Sequence, residues 1–154
     1  MKYFYEYNNK FCNLFIAEES ENISLVSFNN SKLSKEFIKK KTPLINNTIN
    51  QLEEYFAKKR KTFDIPLFLN GTDFYKKVWE VLKTIPYGEY RSYGQIAAMI
   101  NKPKASRAVG LANNRNPIVI IIPCHRVIGH NGSLVGYAGG LELKKQLLDI
   151  EKHA

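Results

Sequence analysis

The 154-residue chain is 44% hydrophobic, enough to pack one or two small domains, and no apolar run in it is long enough to span a bilayer or to act as a signal peptide. Two cysteines, Cys12 and Cys124, exclude a disulfide framework and point to a cytoplasmic protein with reduced thiols. A net charge of +9, of which +6 falls from Thr72 onward, calls for a polyanionic partner, most simply nucleic acid, although such charge also serves solubility.

Lys2 to Tyr7, Phe11 to Ala17 and Ile23 to Phe28 are short runs rich in aromatic and β-branched residues, separated by polar turns, and predict a β-meander. Leu33 to Lys41 reads as a short helix ended by Pro43. Asn50 to Lys59 reads as a stronger one, with Leu52, Tyr55 and Phe56 on one face. The basic run Lys58-Lys59-Arg60-Lys61 reads as a solvated helix end. Phe63 to Leu69, interrupted by Pro66, fits an irregular or edge strand. Asn70-Gly71 is a turn signal and divides the chain into residues 1–70 and 71–154.

Thr72 can cap a helix from Asp73 to about Thr84, broken by Pro86-Tyr87-Gly88. Ser92, with Gln95 three residues on, forms a capping box ahead of a helix through Ile100. A turn over Asn101 to Lys104 then leads into a second short helix, Ser106 to Asn114. Helix, tight turn and helix together match a helix-turn-helix. The second helix is rich in Ala and Gly, with Ala108, Gly110 and Ala112, which permits either close approach to a DNA groove or tight packing in a core. It carries few side chains able to read base edges, so binding with little sequence specificity is expected.

Ile118 to Ile122 is the most β-branched run and predicts a short buried strand that stops at Pro123. Cys124 follows, with His125 beside it. Cysteine reacts as the thiolate, which a neighbouring base makes accessible. The plain alternative is a buried Cys serving as a small hydrophobe. Only His125, His130 and His153 accompany the two cysteines, and no Cys-x-x-Cys or His-x-x-x-His pair exists, so no metal site is expected.

Pro123-Cys124-His125-Arg126-Val127, Ser92-Tyr93, Ala108-Val109-Gly110, Asn116-Pro117, Gly136-Tyr137-Ala138-Gly139-Gly140, Leu147-Leu148 and Glu151 occur together in this order and spacing. In these motifs the chain resembles the O6-alkylguanine-DNA alkyltransferases from about Thr72 to Glu151. Residues 1–70 match in size and in strand-then-helix order. The resemblance implies an α+β fold. Its parts are a small ribonuclease-H-like N-terminal domain, with a β-meander and helices, and a mostly helical C-terminal domain with a helix-turn-helix and a short active-site strand. It further implies a monomer that binds the minor groove of duplex DNA and flips out O6-alkylguanine, mainly O6-methylguanine and in some cases O4-methylthymine. The alkyl group passes once, without a cofactor, to Cys124, because the alkyl carbon cannot meet a thiolate while the base is stacked.

In the roles that the resemblance implies, Cys124 is the acceptor, His125 the base acting through a water, Glu151 the group that orients the imidazole, and Tyr93 a proton donor to the guanine ring. Val127, Tyr137, Ala138 and Asn116 belong to the base pocket, with the carbonyls of Cys124 and Val127 accepting from the guanine amine. Arg107, Ala108, Gly110, Ser92 and Tyr93 meet DNA, Arg107 filling the place of the flipped base, and Arg126 pairs with an acid or, alternatively, contacts a phosphate. Many relatives carry Ser where this chain has Ala138, which bears on alkyl preference. Bulkier residues are common at Asn113 and Asn114, which implies altered groove contacts. Two alternatives remain: a lesion-binding module that flags alkylated DNA for another pathway, and a basic helix-turn-helix regulator with a structural Cys.

Overall fold

A computed structural model describes residues 1–152; His153, counted above among possible metal ligands, lies outside them. The chain forms two compact units, Met1–Leu69 and a second that begins at Asn70. The first is a four-stranded sheet and a helix. β1 (Lys2–Asn8), β2 (Asn13–Glu19) and β3 (Asn22–Ser27) form the antiparallel meander, and β4 (Phe37–Lys39) adds parallel to β1, in the order β3-β2-β1-β4. Phe63 to Leu69 extends this sheet irregularly: Phe68 N–H donates to the Ile23 carbonyl and Ile23 N–H to that of Pro66.

Two expectations change here. Residues 33–41 do not form a helix, because Phe37 to Lys39 pair with Lys2 to Phe4, a contact that local periodicity cannot reveal. Pro43 does not end a helix but starts α1 (Pro43–Phe56), where its missing N–H costs nothing and Thr42 Oγ1 accepts from Ile45 N–H. Ile45, Ile49, Leu52 and Tyr55 recur on one face of α1 and are buried, as are Leu14, Ile16 and Val26 of the sheet. The basic run begins past the end of α1, with Lys58 in a left-handed conformation and Arg60 turned back onto Glu54 at 2.9 Å.

The second unit holds α2 (Asp73–Leu82), β5 (Arg91–Ser92), α3 (Tyr93–Met99), α4 (Ser106–Asn114), β6 (Val127–Ile128) and α5 (Leu141–Lys152). Thr72 caps α2 through Tyr75 N–H, and Ser92 and Gln95 form the complete capping box of α3. Asn101, in the left-handed region, ends α3, and Lys102 N–H returns to the Ala97 carbonyl. Trp79 is the anchor of the three-helix cluster: it is almost fully buried and its indole N–H donates to the Ala112 carbonyl at 2.9 Å.

The run Ile118 to Ile122 is not a strand. Ile122 N–H returns to the Ile118 carbonyl, Ile121 N–H to Val119, and Ile120 adopts φ 72°, a costly conformation for a β-branched residue. Asn116 enforces it, its Nδ2 donating to the Ile122 carbonyl at 2.7 Å and its Oδ1 accepting from Ile118 N–H. The short strand of this site lies after the cysteine: Val127 and Ile128 pair with Arg91 and Ser92. That pairing sets the start of α3 beside the cysteine turn.

Two glycines make opposite demands. A Cβ on Gly71 would lie 2.7 Å from the Trp79 ring, whereas on Gly110 it would stand 3.8 Å from Tyr93. We expect Gly71→Ala to destabilise the chain by about 1–3 kcal/mol. Gly110→Ala should be neutral or stabilising by up to about 1 kcal/mol, both read from denaturant midpoints.

Candidate active site

Cys124, His125 and Arg126 form one 3₁₀ turn after Pro123, and all three are buried. A turn this tight points successive side chains in different directions. Cys124 faces the groups of α4 and of the glycine-bearing segment 129–140, while His125 and Arg126 both reach Glu151 on α5. His125 Nε2 lies 2.6 Å from Glu151 Oε2. Arg126 donates through Nε to Oε1 at 2.8 Å and through an Nη to Oε2 at 3.2 Å, and its other Nη donates to the Ile85 carbonyl at 2.7 Å. Gly88 N–H donates to Oε1 at 3.2 Å. The guanidinium also stands 5.7 Å from the centre of the Tyr87 ring. Arg126 thus pairs with an acid, and that acid is Glu151.

The charges in this cluster follow from burial and partners. Burial alone would raise the Glu151 carboxyl, but the hydrogen bonds and charges of His125 and Arg126 outweigh it and bring it down to about 2. Burial lowers His125 against the pull of Glu151, with Arg126 and Lys144 adding to the effect. The carboxylate is therefore ionised against Arg126, and the imidazole is neutral. A neutral ring whose Nε2–H faces Glu151 carries its basic lone pair on Nδ1.

Burial raises the Cys124 thiol to about 11, opposed by a hydrogen bond from Asn116, the charge of Lys144 and a hydrogen bond from Tyr137. The thiol at rest is protonated and must lose its proton before it can react. The Cys124 carbonyl accepts from Val127 N–H and, at 3.3 Å, from Asn113 Nδ2. Tyr93, the first residue of α3, donates to the Val135 carbonyl at 3.3 Å, and burial raises its phenol.

Lys144 escaped sequence reasoning. It is fully buried, and its Nζ donates to the same Val135 carbonyl at 2.9 Å. Burial lowers its amine to about 8, with the nearby Cys124 working against that. The available signal was register, since Lys144 shares a face of α5 with Leu147 and Glu151. Val127 is buried beside this group, Tyr137 is half-buried within hydrogen-bond reach of the thiol, and Ala138 is exposed on the segment above it.

The outer face of α4 exposes Arg107, Ala108, Leu111, Asn114 and Arg115, while Val109, Ala112 and Asn113 face inward. Asn114 is thus on the side available to a groove. Asn113 is not, and the groove contact expected for it is replaced by one to Cys124. Gly110 lies against the Tyr93 ring, so its small size already serves packing. The Ser92 hydroxyl accepts from Gln95 N–H at 3.1 Å as the cap of α3.

These charges set an acid limit on stability. Glu151 titrates at about 2 when folded against an ordinary 4.5, and His125 is held below its ordinary 6.5. Unfolding therefore takes up protons in acid, so stability falls as pH drops below about 6.5, and further from about 4.5 to 2. Denaturant midpoints measured from pH 8 to pH 3 should decline in that order. Arg126→Met, which leaves a buried carboxylate without its cation, should cost about 3–5 kcal/mol at pH 7.

Family models match both units. Residues 2–69 fit the 6-O-methylguanine DNA methyltransferase, ribonuclease-like domain, and residues 73–153 fit the DNA binding domain of the same family. A methylated-DNA–protein-cysteine methyltransferase of Methanosarcina acetivorans is 65% identical over 101 residues, a stretch covering 66% of this chain and 65% of that relative. The chain thus spans slightly less than two thirds of the length of that relative. The constitutive methylated-DNA–protein-cysteine methyltransferase of Bacillus subtilis is 49% identical over 90% of this chain and 88% of its own. Mycobacterium tuberculosis OGT, solved in complex with DNA, superposes with a TM-score of 0.91 at 42% identity, covering 98% of this chain and 93% of that one. With both domain models matched in order, the chain belongs to the 6-O-methylguanine DNA methyltransferase family.

Proposed function

We propose that this chain repairs alkylated duplex DNA by moving the alkyl group from O6 of guanine, mainly the methyl of O6-methylguanine, onto its own Cys124. The observation that carries this reading is the buried Cys124-His125-Arg126 turn closed by Glu151, with the imidazole neutral and 2.6 Å from the carboxylate. A protonated, buried thiol beside a neutral, oriented imidazole is the starting state that a nucleophilic cysteine needs. The names of the relatives support the same chemistry.

In this reading His125 takes the thiol proton through a bridging water, and Glu151 stabilises the imidazolium that results. The sulfur attacks the alkyl carbon, the S–C bond forms as the C–O6 bond breaks, and the electron pair passes to the guanine. Tyr93 releases a proton to the ring as that charge develops, and the imidazolium proton restores the balance. In sum the thiol proton ends on guanine and the alkyl group on sulfur, a sum that needs no cofactor. The thioether has no route back, so each molecule acts once. O4-methylthymine presents similar chemistry and is a secondary substrate.

The lesion has to leave the stack to reach a buried thiol. The exposed side of α4, led by Arg107 and Ala108, enters the minor groove with Ser92 and Tyr93 at the start of α3, and Arg107 fills the gap in the duplex. Few base-reading groups stand on that face, so phosphates and groove shape dominate and sequence preference is small. Val127, Tyr137 and the Ala138 amide wall the pocket, and Asn116 holds the turn that carries Cys124. The protein acts as a monomer on cytoplasmic DNA. Among the described residues no helix is long and apolar enough to cross a membrane.

Mixing the protein with a duplex carrying one O6-methylguanine should add one methyl per chain, located on Cys124 by peptide mass, and restore guanine in the DNA. Lesion-dependent binding with no mass gain would instead mark a lesion-sensing protein. Cys124→Ala should keep lesion binding and lose all transfer. Tyr93→Phe should slow transfer by about a hundredfold or more. Arg107→Ala should slow it too, and less severely when the lesion sits in a mismatch that already weakens its pairing.

A further inference from the structure

The exposed residues of α4 and its cap, Arg107, Ala108, Leu111, Asn114 and Arg115, follow the spacing of one helical face. Leu111 is the bulky apolar member of that stripe and is 48% exposed. Arg107 stands one turn before it and Arg115 one turn after. The inner face is already spent on packing: Val109 and Ala112 are fully buried, and Gly110 lies against the Tyr93 ring. At the far end of the stripe the segment after the cysteine turn abuts the helix, since a Cβ on Gly136 would lie 3.7 Å from the Asn114 amide. A single exposed leucine is ordinary on a protein surface. This one sits between two arginines, on the face that carries the gap-filling Arg107, and contributes nothing to the core of its own unit.

Resting on the function proposed above, we infer that Leu111 is an apolar wedge that opens the duplex beside the lesion, working with Arg107. The minor groove of B-DNA is about 6 Å wide, and a helix with its side chains is about 10–12 Å across. α4 therefore enters only a groove that has been widened, and widening goes with partial unstacking of base steps. An apolar side chain set against a base step, with basic residues close by, is a physical means of holding such a step open. From Arg107 to Leu111 the helix advances about 6 Å, near two duplex steps of about 3.4 Å. With Arg107 in the place of the flipped base, Leu111 meets a neighbouring step.

The exposed half of the leucine leaves water when it reaches sugars and base edges, which favours the opened duplex over the intact one. The side chain has no hydrogen-bonding group, so it distinguishes no base sequence. It carries no charge, so it adds nothing to the attraction of phosphates. Its effect falls on opening the lesion step, whereas the arginines on either side act on the backbone.

The test follows single-turnover methyl transfer by the full-length wild type and Leu111→Ala on two duplexes. One carries O6-methylguanine opposite cytosine. The other carries the same lesion opposite an abasic site, where the base has no partner to give up on leaving the stack. Leu111→Ala should slow transfer about three- to tenfold on the first, the weight of half a leucine side chain, and leave the second nearly unchanged. A 2-aminopurine placed beside the lesion should brighten on binding the wild type as its step unstacks, and brighten less with the variant. Leu111→Met keeps an apolar side chain of similar length and should preserve both readouts. Leu111→Lys should bind intact duplex more tightly yet open it less. Thermal midpoints should hold throughout, because the side chain lies outside the core. Equal slowing on both duplexes, or slowing on neither, would overturn the wedge. A defect present on long duplexes and absent on one too short for two molecules would assign Leu111 to contact between copies and overturn it as well. Absence of transfer by the wild type on both duplexes would overturn the proposed function instead, and the 2-aminopurine signal, wild type against variant, would then decide the role of Leu111.

Discussion

The carboxylate of Glu151 is the interaction on which the rest of this site depends. It is buried, and the contacts that hold it include His125 Nε2, two nitrogens of Arg126 and the backbone N–H of Gly88. Those contacts join the last helix, the cysteine turn and the turn after α2, three segments far apart in sequence. A carboxylate in so dry a place survives only with a cation and several donors, and Arg126 supplies the cation. With that charge matched, the imidazole can stay neutral, which is the state a base requires. The ion pair therefore does two things: it welds the unit together, and it keeps His125 from being consumed as a permanent counter-ion.

Cys124 answers to the opposite requirement. Burial pushes its thiol to about 11, so the sulfur is quiet in the absence of substrate. Asn116, Tyr137 and the Lys144 amine all oppose that rise. These groups favour the thiolate without making it the resting form. Such restraint protects the sulfur, since a free thiolate would be open to oxidation. Asn116 also pins the turn that presents the cysteine, holding Ile120 in a left-handed conformation that a β-branched residue does not choose. Strain of this sort persists only where surrounding bonds over-determine it, and here the bonds of Asn116 to Ile118 and Ile122 do so, in the segment just before Cys124.

The helix-turn-helix has two faces with separate tasks. Arg107, Ala108, Leu111 and Asn114 of α4 are exposed, while Gly110 and Asn113 turn toward Tyr93 and Cys124. The small residues of this helix thus let the Tyr93 ring lie against it. They also leave an outer surface with little to obstruct a groove. The Val135 carbonyl accepts from both Tyr93 and Lys144, and this ties the segment above the cysteine to α3 and α5 at one point.

The amino-acid sequence by itself determined the local features: the capped helices at Thr72 and Ser92, the extent of α4, the three strands of the meander and the adjacency of Cys124 and His125. Caps and alternation act within a few residues, so they can be read without a partner in space. Family motifs extended that reading to Glu151, which on its own resembles any exposed carboxylate near a C-terminus. Tertiary structure alone decided the rest. Phe37 to Lys39 became a strand because β1 offered a free edge. Ile118 to Ile122 became a turn because one side chain, Asn116, outbid the β-preference of five residues. Lys144 and Asn113 were drawn inward by the helical register of α5 and α4, against the usual preference of their side chains for water. In each case a contact distant in sequence, or a side chain bonding to backbone, overrode a local propensity worth only a fraction of it.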